Sequence, residues 1–256
     1  MKTVTAFIGS ARRNGLTWRA ARLLLDTLEA SGDFKCEMVF LSDYTLSLCR
    51  GCKACFDFGE EHCPFHDDRD PLIAKMTASD GVVLATPNYS FQVSARMKMF
   101  LDRLGFIFHR PRFHGKTFTA LVAQGIMGGG KIVKYLEFAG KGMGFNVVKG
   151  ACVTAREPMT KKQRQEADKT ITDLSWRFHR RLLEPAYPVP SIYQLMMFRL
   201  ARTMVLRGVN PENADYTFYR DHGWFTSDYY YAARMGLLKK AAGAITDWMS
   251  ASMVAR

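Results

Sequence analysis

Apolar positions along the chain switch repeatedly between two periods. Residues 3–8 (Thr-Val-Thr-Ala-Phe-Ile) form a short β-branched and apolar run of the kind buried in a parallel sheet. Trp18, Ala21, Leu25 and Leu28 then recur at helical spacing, and Ser31-Gly32-Asp33 stops that helix. The pattern predicts a second strand over residues 36–41. A short helix follows from Asp70-Pro71, with Leu72, Ile73 and Met76 inward, and then a fully apolar strand over residues 81–86. Next come a helix over 93–105 with Met97, Phe100, Leu101 and Leu104 on one face, a strand over 118–123 and a helix over 132–141. A fifth strand over 145–153 and a long helix over 160–183, burying Ala167, Ile171, Leu174, Phe178 and Leu182, close the series. Five strand–helix alternations predict βαβ units, a parallel sheet and helices on both faces. In such sheets a ligand lies beyond the carboxyl ends of the strands. The loops 9–17, 86–91 and 124–130 all fall there and should face one crevice.

Beyond Leu183 the pattern changes. Pro185, Pro188 and Pro190 mark a linker, residues 192–207 read as a helix, and Asn210-Pro211 ends it. Residues 215–231 are rich in aromatics, and a last helix is expected over about 232–249. The expected organisation is a domain over residues 1–184 and a helical extension over 185–256, serving as a lid or an oligomer contact. The extension reads as too small for a large core of its own, so it should pack on the domain or on another subunit.

Composition changes this picture little. With 256 residues and 48% hydrophobic content the chain can build a sizeable core. No apolar run reaches the ~18 residues of a membrane span, and no export signal opens the chain, so the cytoplasm is the expected location. The net charge of +12 raises nucleic acid as a partner. The excess is spread out, however, and no nucleic-acid motif accompanies it. Between residues 96 and 116 six basic side chains stand against the single acid Asp102, a face suited to steering anionic cofactors. A membrane-surface role for 192–207, which mixes Met, Leu and Phe with Arg, ranks below lid or dimer contact.

The first strand runs into Gly9-Ser10-Ala11-Arg12-Arg13-Asn14-Gly15-Leu16-Thr17. A small, polar, basic loop at a helix N-terminus offers backbone N–H groups and the positive end of the dipole to an anion. Ser10, Asn14 and Thr17 add neutral donors, and Arg12 or Arg13 adds charge. A Walker loop is excluded because Leu16 stands where its lysine belongs, and Ala11 breaks the dinucleotide-binding glycine pattern. A mononucleotide phosphate is the better guest.

Four of the six cysteines cluster: Cys49, Cys52 and Cys55 at two-residue intervals, then Cys63 followed by Pro64. Such spacing lets thiolates converge on one iron–sulfur cluster. Zinc, or a cysteine-lined loop without metal, fits the same spacing. Cys36 and Cys152 lie in predicted strands and read as core residues. Asp67-Asp68 reads as a charge pair at a helix N-terminus, and Asp102-Arg103 as local ion pairs.

Taken together, three stretches resemble the flavodoxin-like NAD(P)H-dependent FMN reductase family, including its iron–sulfur flavoproteins. They are the 9–17 loop, the cysteine cluster followed by Asp67-Asp68, and Thr86-Pro87-Asn88-Tyr89 followed by Met97-Lys98-Met99-Phe100-Leu101-Asp102-Arg103. The likeness spans residues 1 to about 184. Ala11 and Leu16 depart from the Pro and Asn usual in the family's phosphate loop, and Leu16 removes one expected donor. The resemblance implies a doubly wound five-stranded parallel sheet of order 2-1-3-4-5 with a C-terminal helical extension. It implies FMN, with Ser10, Arg12, Asn14, Gly15 and Thr17 at the phosphate, Pro87, Asn88, Tyr89 and Ser90 along the ring, and Gln124, Gly125 and Gly128 at its polar edge. It implies NAD(P)H as electron donor and no side chain that is itself catalytic. It also implies a possible cluster of the [4Fe-4S] type on Cys49, Cys52, Cys55 and Cys63. The acceptor would be a flavin, a quinone or similar molecule, or a redox protein, and the chain would form a homo-oligomer. Two rival readings are an iron–sulfur electron carrier fed by ferredoxin and a non-enzymatic basic binding module.

Overall fold

The computed structural model describes residues 1–156 and 158–254. Their elements are β1 (Lys2–Ile8), α1 (Leu16–Glu29), β2 (Phe34–Phe40), α2 (Ala54–Asp57), α3 (Arg69–Ala78), β3 (Gly81–Pro87), α4 (Ala95–Arg103), β4 (Thr117–Gln124), α5 (Gly129–Gly142), β5 (Asn146–Val147), β6 (Ala151–Thr154), α6 (Lys161–Leu183), α7 (Ile192–Gly208), α8 (Ala214–Asp221) and α9 (Leu237–Val254). The chain divides into two compact units, residues 1–50 with 65–186 and residues 51–64 with 187–256.

The first unit is a doubly wound parallel sheet of order β2-β1-β3-β4-β5, with β6 also paired to β4. The expected fifth strand is present but broken. Between its halves Val148 N–H still donates to Phe118 O at 2.8 Å, whereas Gly150 N–H turns to the Glu137 carboxylate at 2.8 Å. Gly150 also lies so close to β4 that a Cβ there would meet Ala120 O at 2.4 Å. The break is thus a bulge that only glycine permits.

One face of the sheet buries Val4, Ala6, Ile8, Val83, Ala85 and Leu121 under α1 and α6, through Leu24, Leu28, Leu174 and Phe178. On the other face Phe7 stacks on Phe100 of α4 at 5.6 Å between ring centres, and Phe118 meets Gly140 of α5. Each such side chain contributes about 1.5–3 kcal/mol by leaving water. Helix α6 starts at a reciprocal capping box, in which Thr160 Oγ1 accepts from Gln163 N–H and Gln163 Oε1 from Thr160 N–H.

Much of the basic stretch over 96–116 is structural. Arg103 and Arg110 are buried. Arg103 pairs with Asp67 at 2.9 Å, Arg112 lies over the Phe106 ring, and Lys116 donates to Ser79 O at 2.9 Å. Burial pulls the Lys116 amine below its ordinary pKa. A uniform steering surface is therefore not what these residues form. Asp102 and Arg103 pair with Lys98 and Asp67 instead of with each other.

The second unit has a small core. Leu195, Phe198, Tyr219, Trp224 and Tyr229 form a buried core of its own, with Phe218, Phe225, Tyr230 and Tyr231 against it. Large rings let a short segment bury much area, and their contacts are edge-to-face, as with Tyr219 and Trp224 at 4.9 Å. Arg199 and Arg202 are buried here too, not displayed on a surface. Both reach the Asp247 carboxylate at 2.7 Å, and Arg199 also pairs with Asp228. Residues 51–64, expected in the first domain, belong to this unit, where the Asn213 amide donates to Asp57 at 3.2 Å. Among the described residues no helix is long and apolar enough to cross a membrane.

Candidate functional site

Four strand ends meet at one cleft. It occupies about 430 Å³ and is lined by Ser10, Arg12, Gly15, Leu16 and Thr17 after β1, by Pro87, Asn88 and Tyr89 after β3, by Ala123, Gln124 and Gly125 at the end of β4, and by Ala155 and Arg156 after β6. That volume lies in the range of small-molecule sites.

The β1 end is held by Ser94. Its hydroxyl donates to Gly9 O at 2.6 Å and accepts from Met97 N–H at 3.2 Å, capping α4. Its N–H donates to Thr86 Oγ1 at 3.0 Å. A Cβ on Gly9 would meet Ser94 Oγ at 2.8 Å and Met97 Cβ at 3.0 Å, so only glycine fits between the strand ends. Beyond it, Ser10 Oγ accepts from Arg12 N–H at 3.2 Å. Helix α1 then begins at Gly15 with no side-chain cap and no acidic residue in its first turn. Its leading amides thus meet no capping carboxylate, and the positive end of the dipole suits this start of α1 to an anion. Of the two arginines, Arg12 lines the cleft, whereas Arg13 is tied to Asp43 at 2.6 Å and lies over the Phe40 ring. Asn14 is exposed outside the lining and offers its carbonyl to Arg19 Nε at 2.9 Å.

The middle of the cleft has apolar walls in Leu16, Pro87, Tyr89, Ala123 and Ala155. After β3 the chain reverses through a tight turn in which Tyr89 and Gln92 exchange backbone hydrogen bonds of 3.0 Å. Its central residues Ser90 and Phe91 have φ of 50° and 64°. A two-residue turn of this hand favours Asn-Gly, and a phenylalanine in it stores strain of about 1–3 kcal/mol. The Phe91 ring lies against Gly128, whose φ of +91° and absent side chain make that contact possible. Ser90 and Gly128 thus shape the rim from outside the lining.

The β4 end is rigid. The Gln124 side-chain oxygen accepts from Gly129 N–H at 2.7 Å and Asn88 Nδ2 at 3.1 Å, and its nitrogen donates to Thr154 Oγ1 at 2.8 Å. Asn88 Nδ2 donates also to Met127 O at 2.9 Å. Both Asn88 N–H bonds are thereby used, which fixes the amide orientation and leaves its Oδ1 buried without a partner. Gln124 serves the cleft as a strut, and exposed Gly125 lines it just past the end of β4. Arg156 and Ala155 were missed from the sequence. The rule that strand carboxyl ends bear the site pointed to them, but nothing in their residue types singled them out.

The cysteines divide between the units: Cys49 in the first, Cys52, Cys55 and Cys63 in the second. Cys49 and Cys52 are exposed, and no disulfide links any of the six cysteines. Among the described residues no group of three or more His, Cys, Asp or Glu side chains is gathered at metal-holding distance. Cys36 and Cys152 are half-buried rather than core residues. Burial, with Glu29 and Asp26 nearby, pushes the Cys36 thiol up to about 12. Asp67 anchors the loop that enters the cysteine run, accepting from Ser47 N–H at 2.8 Å as well as from Arg103. Burial would raise its pKa, but the Ser47 and Arg69 amides and the Arg103 guanidinium hold it below the ordinary carboxylate value. The Asp67-Asp68 pair therefore fastens a loop more than it caps α3, Asp68 accepting from Thr45 N–H at 2.6 Å.

A doubly wound sheet of this order, with a phosphate-type loop after its first strand and a flat-walled cleft across the next two, defines a flavodoxin-like flavoprotein. The comparisons agree. Residues 2–158 match the family described as NADPH-dependent FMN reductase, and the chain belongs to that family. It is accordingly a flavin-dependent oxidoreductase. An iron-sulfur flavoprotein of Archaeoglobus fulgidus is 29% identical over 234 residues, spanning 88% of this chain and 100% of that one. One from Methanocaldococcus jannaschii is 37% identical over 100 residues, 39% of this chain and 50% of its own length. Among solved structures, RosB with a bound 8-demethyl-8-formylriboflavin-5'-phosphate intermediate aligns with a TM-score of 0.58 at 15% identity, covering 93% of this chain and 92% of that one. An NADH:FMN oxidoreductase in its apo form aligns with a TM-score of 0.52 at 20% identity, covering 75% and 99%. These two likenesses concern the fold.

Proposed function

We propose that this protein takes electrons from NAD(P)H onto FMN held in the cleft and passes them to a small acceptor such as a flavin or quinone. The observation that carries the reading is the uncapped, acid-free start of α1 opening into the same cleft as Arg12, Pro87, Tyr89 and Gly125. These residues fit FMN: an anion site at one end, apolar walls in the middle and a backbone edge at the other. Bound FMN supplies the redox chemistry, taking a hydride and returning electrons. The chain's part is to bind and orient. Ser10, Thr17, Arg12 and the leading amides of α1 hold the phosphate, with Asn14 and Gly15 setting the loop. Pro87 and Tyr89 flank the ring, and Gly125 meets its polar edge. The Asn88–Gln124–Thr154 chain keeps the ring's side of the cleft from collapsing. Ser90 and Gly128 shape the turn beside it, and the second unit contributes the oligomer contact. The test is the visible spectrum of anaerobically purified protein, before and after NADPH. Flavin bands that bleach on NADPH support the reading; a protein that takes up no FMN sinks it.

A second reading is favoured by the cysteine spacing and by the names of the curated relatives. In it, Cys49, Cys52, Cys55 and Cys63 hold an iron–sulfur cluster and the protein is an electron carrier. About four iron and four sulfide per chain in anaerobic preparations, with flavin unmoved by NADPH, would select it over the first.

A further inference from the structure

Among the described residues, the cleft is lined by one cationic side chain besides Arg12, namely Arg156. It is exposed and lies just past the end of β6, across β3 and β4 from β1. At about 4.8 Å per strand spacing, the loops bearing the two arginines stand roughly 14 Å apart. They therefore line the cleft from opposite sides. The Arg12 end carries the anion cradle of α1. At the Arg156 end the carboxamide of Gln124 is engaged with Gly129, Asn88 and Thr154. The Ala155 N–H is spent on Gln124 O at 3.0 Å. The cation that remains to meet charge there is Arg156.

Resting on the FMN reading of this cleft, we propose that Arg156 is the group that stabilises the reduced flavin. A two-electron, one-proton reduction leaves one negative charge on the ring, concentrated at its N1–C2=O edge. On the FMN reading, Gly125 and Arg156, at the ends of β4 and β6, would be the groups that meet the ring's polar edge. A guanidinium there favours the reduced over the oxidised cofactor. It would set the potential and leave the binding of oxidised FMN nearly untouched.

The test is a set of Arg156→Ala, Arg156→Gln and Arg156→Lys variants of the full chain, with circular dichroism to verify folding. Dissociation constants for FMN and riboflavin are measured by fluorescence, and the midpoint potential by dithionite titration with a reference dye. The expected result is a ten- to hundredfold weakening for reduced FMN alone in the Ala and Gln variants. At roughly 30 mV per tenfold for two electrons, the midpoint falls by about 30–60 mV, and Lys restores most of it. The ratio of FMN to riboflavin affinity stays as in wild type. An unchanged midpoint with intact FMN binding overturns the proposal. So does a collapse of the FMN-to-riboflavin ratio, which would make Arg156 a phosphate ligand. A wild-type protein that binds no flavin overturns the FMN reading itself, and this proposal with it.

Discussion

Asp67→Asn is the perturbation whose cost the structure lets one work out. The side chains of Asp67 and Arg103 are 4% and 2% exposed and meet at 2.9 Å. The carboxylate also takes the amides of Ser47 and Arg69. Asn keeps an acceptor for one of these donors but removes the carboxylate charge that faces the buried Arg103 guanidinium. Loss of one partner of a buried pair costs about 3–5 kcal/mol. The retained acceptor puts Asn at the lower end, about 3 kcal/mol. For a chain of this size that is a fall in Tm of roughly 6–12 °C, read by circular dichroism at pH 7. The sign with pH follows from the depressed pKa of Asp67. Its stabilisation is present above the unfolded carboxylate value and is lost as pH falls through the folded one. The gap between wild type and Asp67→Asn should therefore narrow on acidification. Adding Arg103→Leu to Asp67→Asn should recover much of the loss, because the buried guanidinium is then removed together with the carboxylate that faced it. A single variant within about 1 kcal/mol of wild type, or a gap that widens in acid, would refute the reasoning.

Other outcomes follow from the same contacts. Arg12→Ala should weaken FMN about ten- to hundredfold, as expected for a charge-assisted bond of about 1.5–3 kcal/mol, while riboflavin affinity hardly moves; fluorescence titration reads both. Gly9→Ala drives a methyl into Ser94 and Met97 and should cost about 1–3 kcal/mol together with flavin uptake, read by melting and by cofactor content. Iodoacetamide at pH 8 should label exposed Cys49 and Cys52 in the native protein and spare Cys36 until it is unfolded, read by peptide mass mapping. Asp247→Asn removes the carboxylate shared by Arg199 and Arg202 and should lower the melting transition of the second unit before that of the first.

The sheet was legible because buried parallel strands are continuous apolar runs and their helices show one apolar face. Residues 81–86 and the 167, 171, 174, 178, 182 stripe left little choice, and all of that stripe is buried save for grazing exposure. The broken fifth strand was not legible. Its interruption depends on Glu137 and Ala120, distant in sequence from Gly150. The phosphate loop could be read because an anion site needs only a local backbone pattern. Which of its side chains face the cleft could not be, since Arg13 is drawn off by Phe40 at the end of β2 and Asp43 just beyond it. Arg156 escaped for the same reason: an arginine after a strand acquires meaning only from what stands beside it. The small core of the aromatic tail was not legible, because it depends on rings from separate helices packing against one another.

The most direct test of the central claim is equilibrium titration of the cofactor-stripped full chain with FMN and with riboflavin. If the phosphate is held by Arg12 and the start of α1, FMN binds at least about tenfold more tightly than riboflavin, the worth of a single charge-assisted contact. Equal affinity for the two, or no binding of either, would contradict the account.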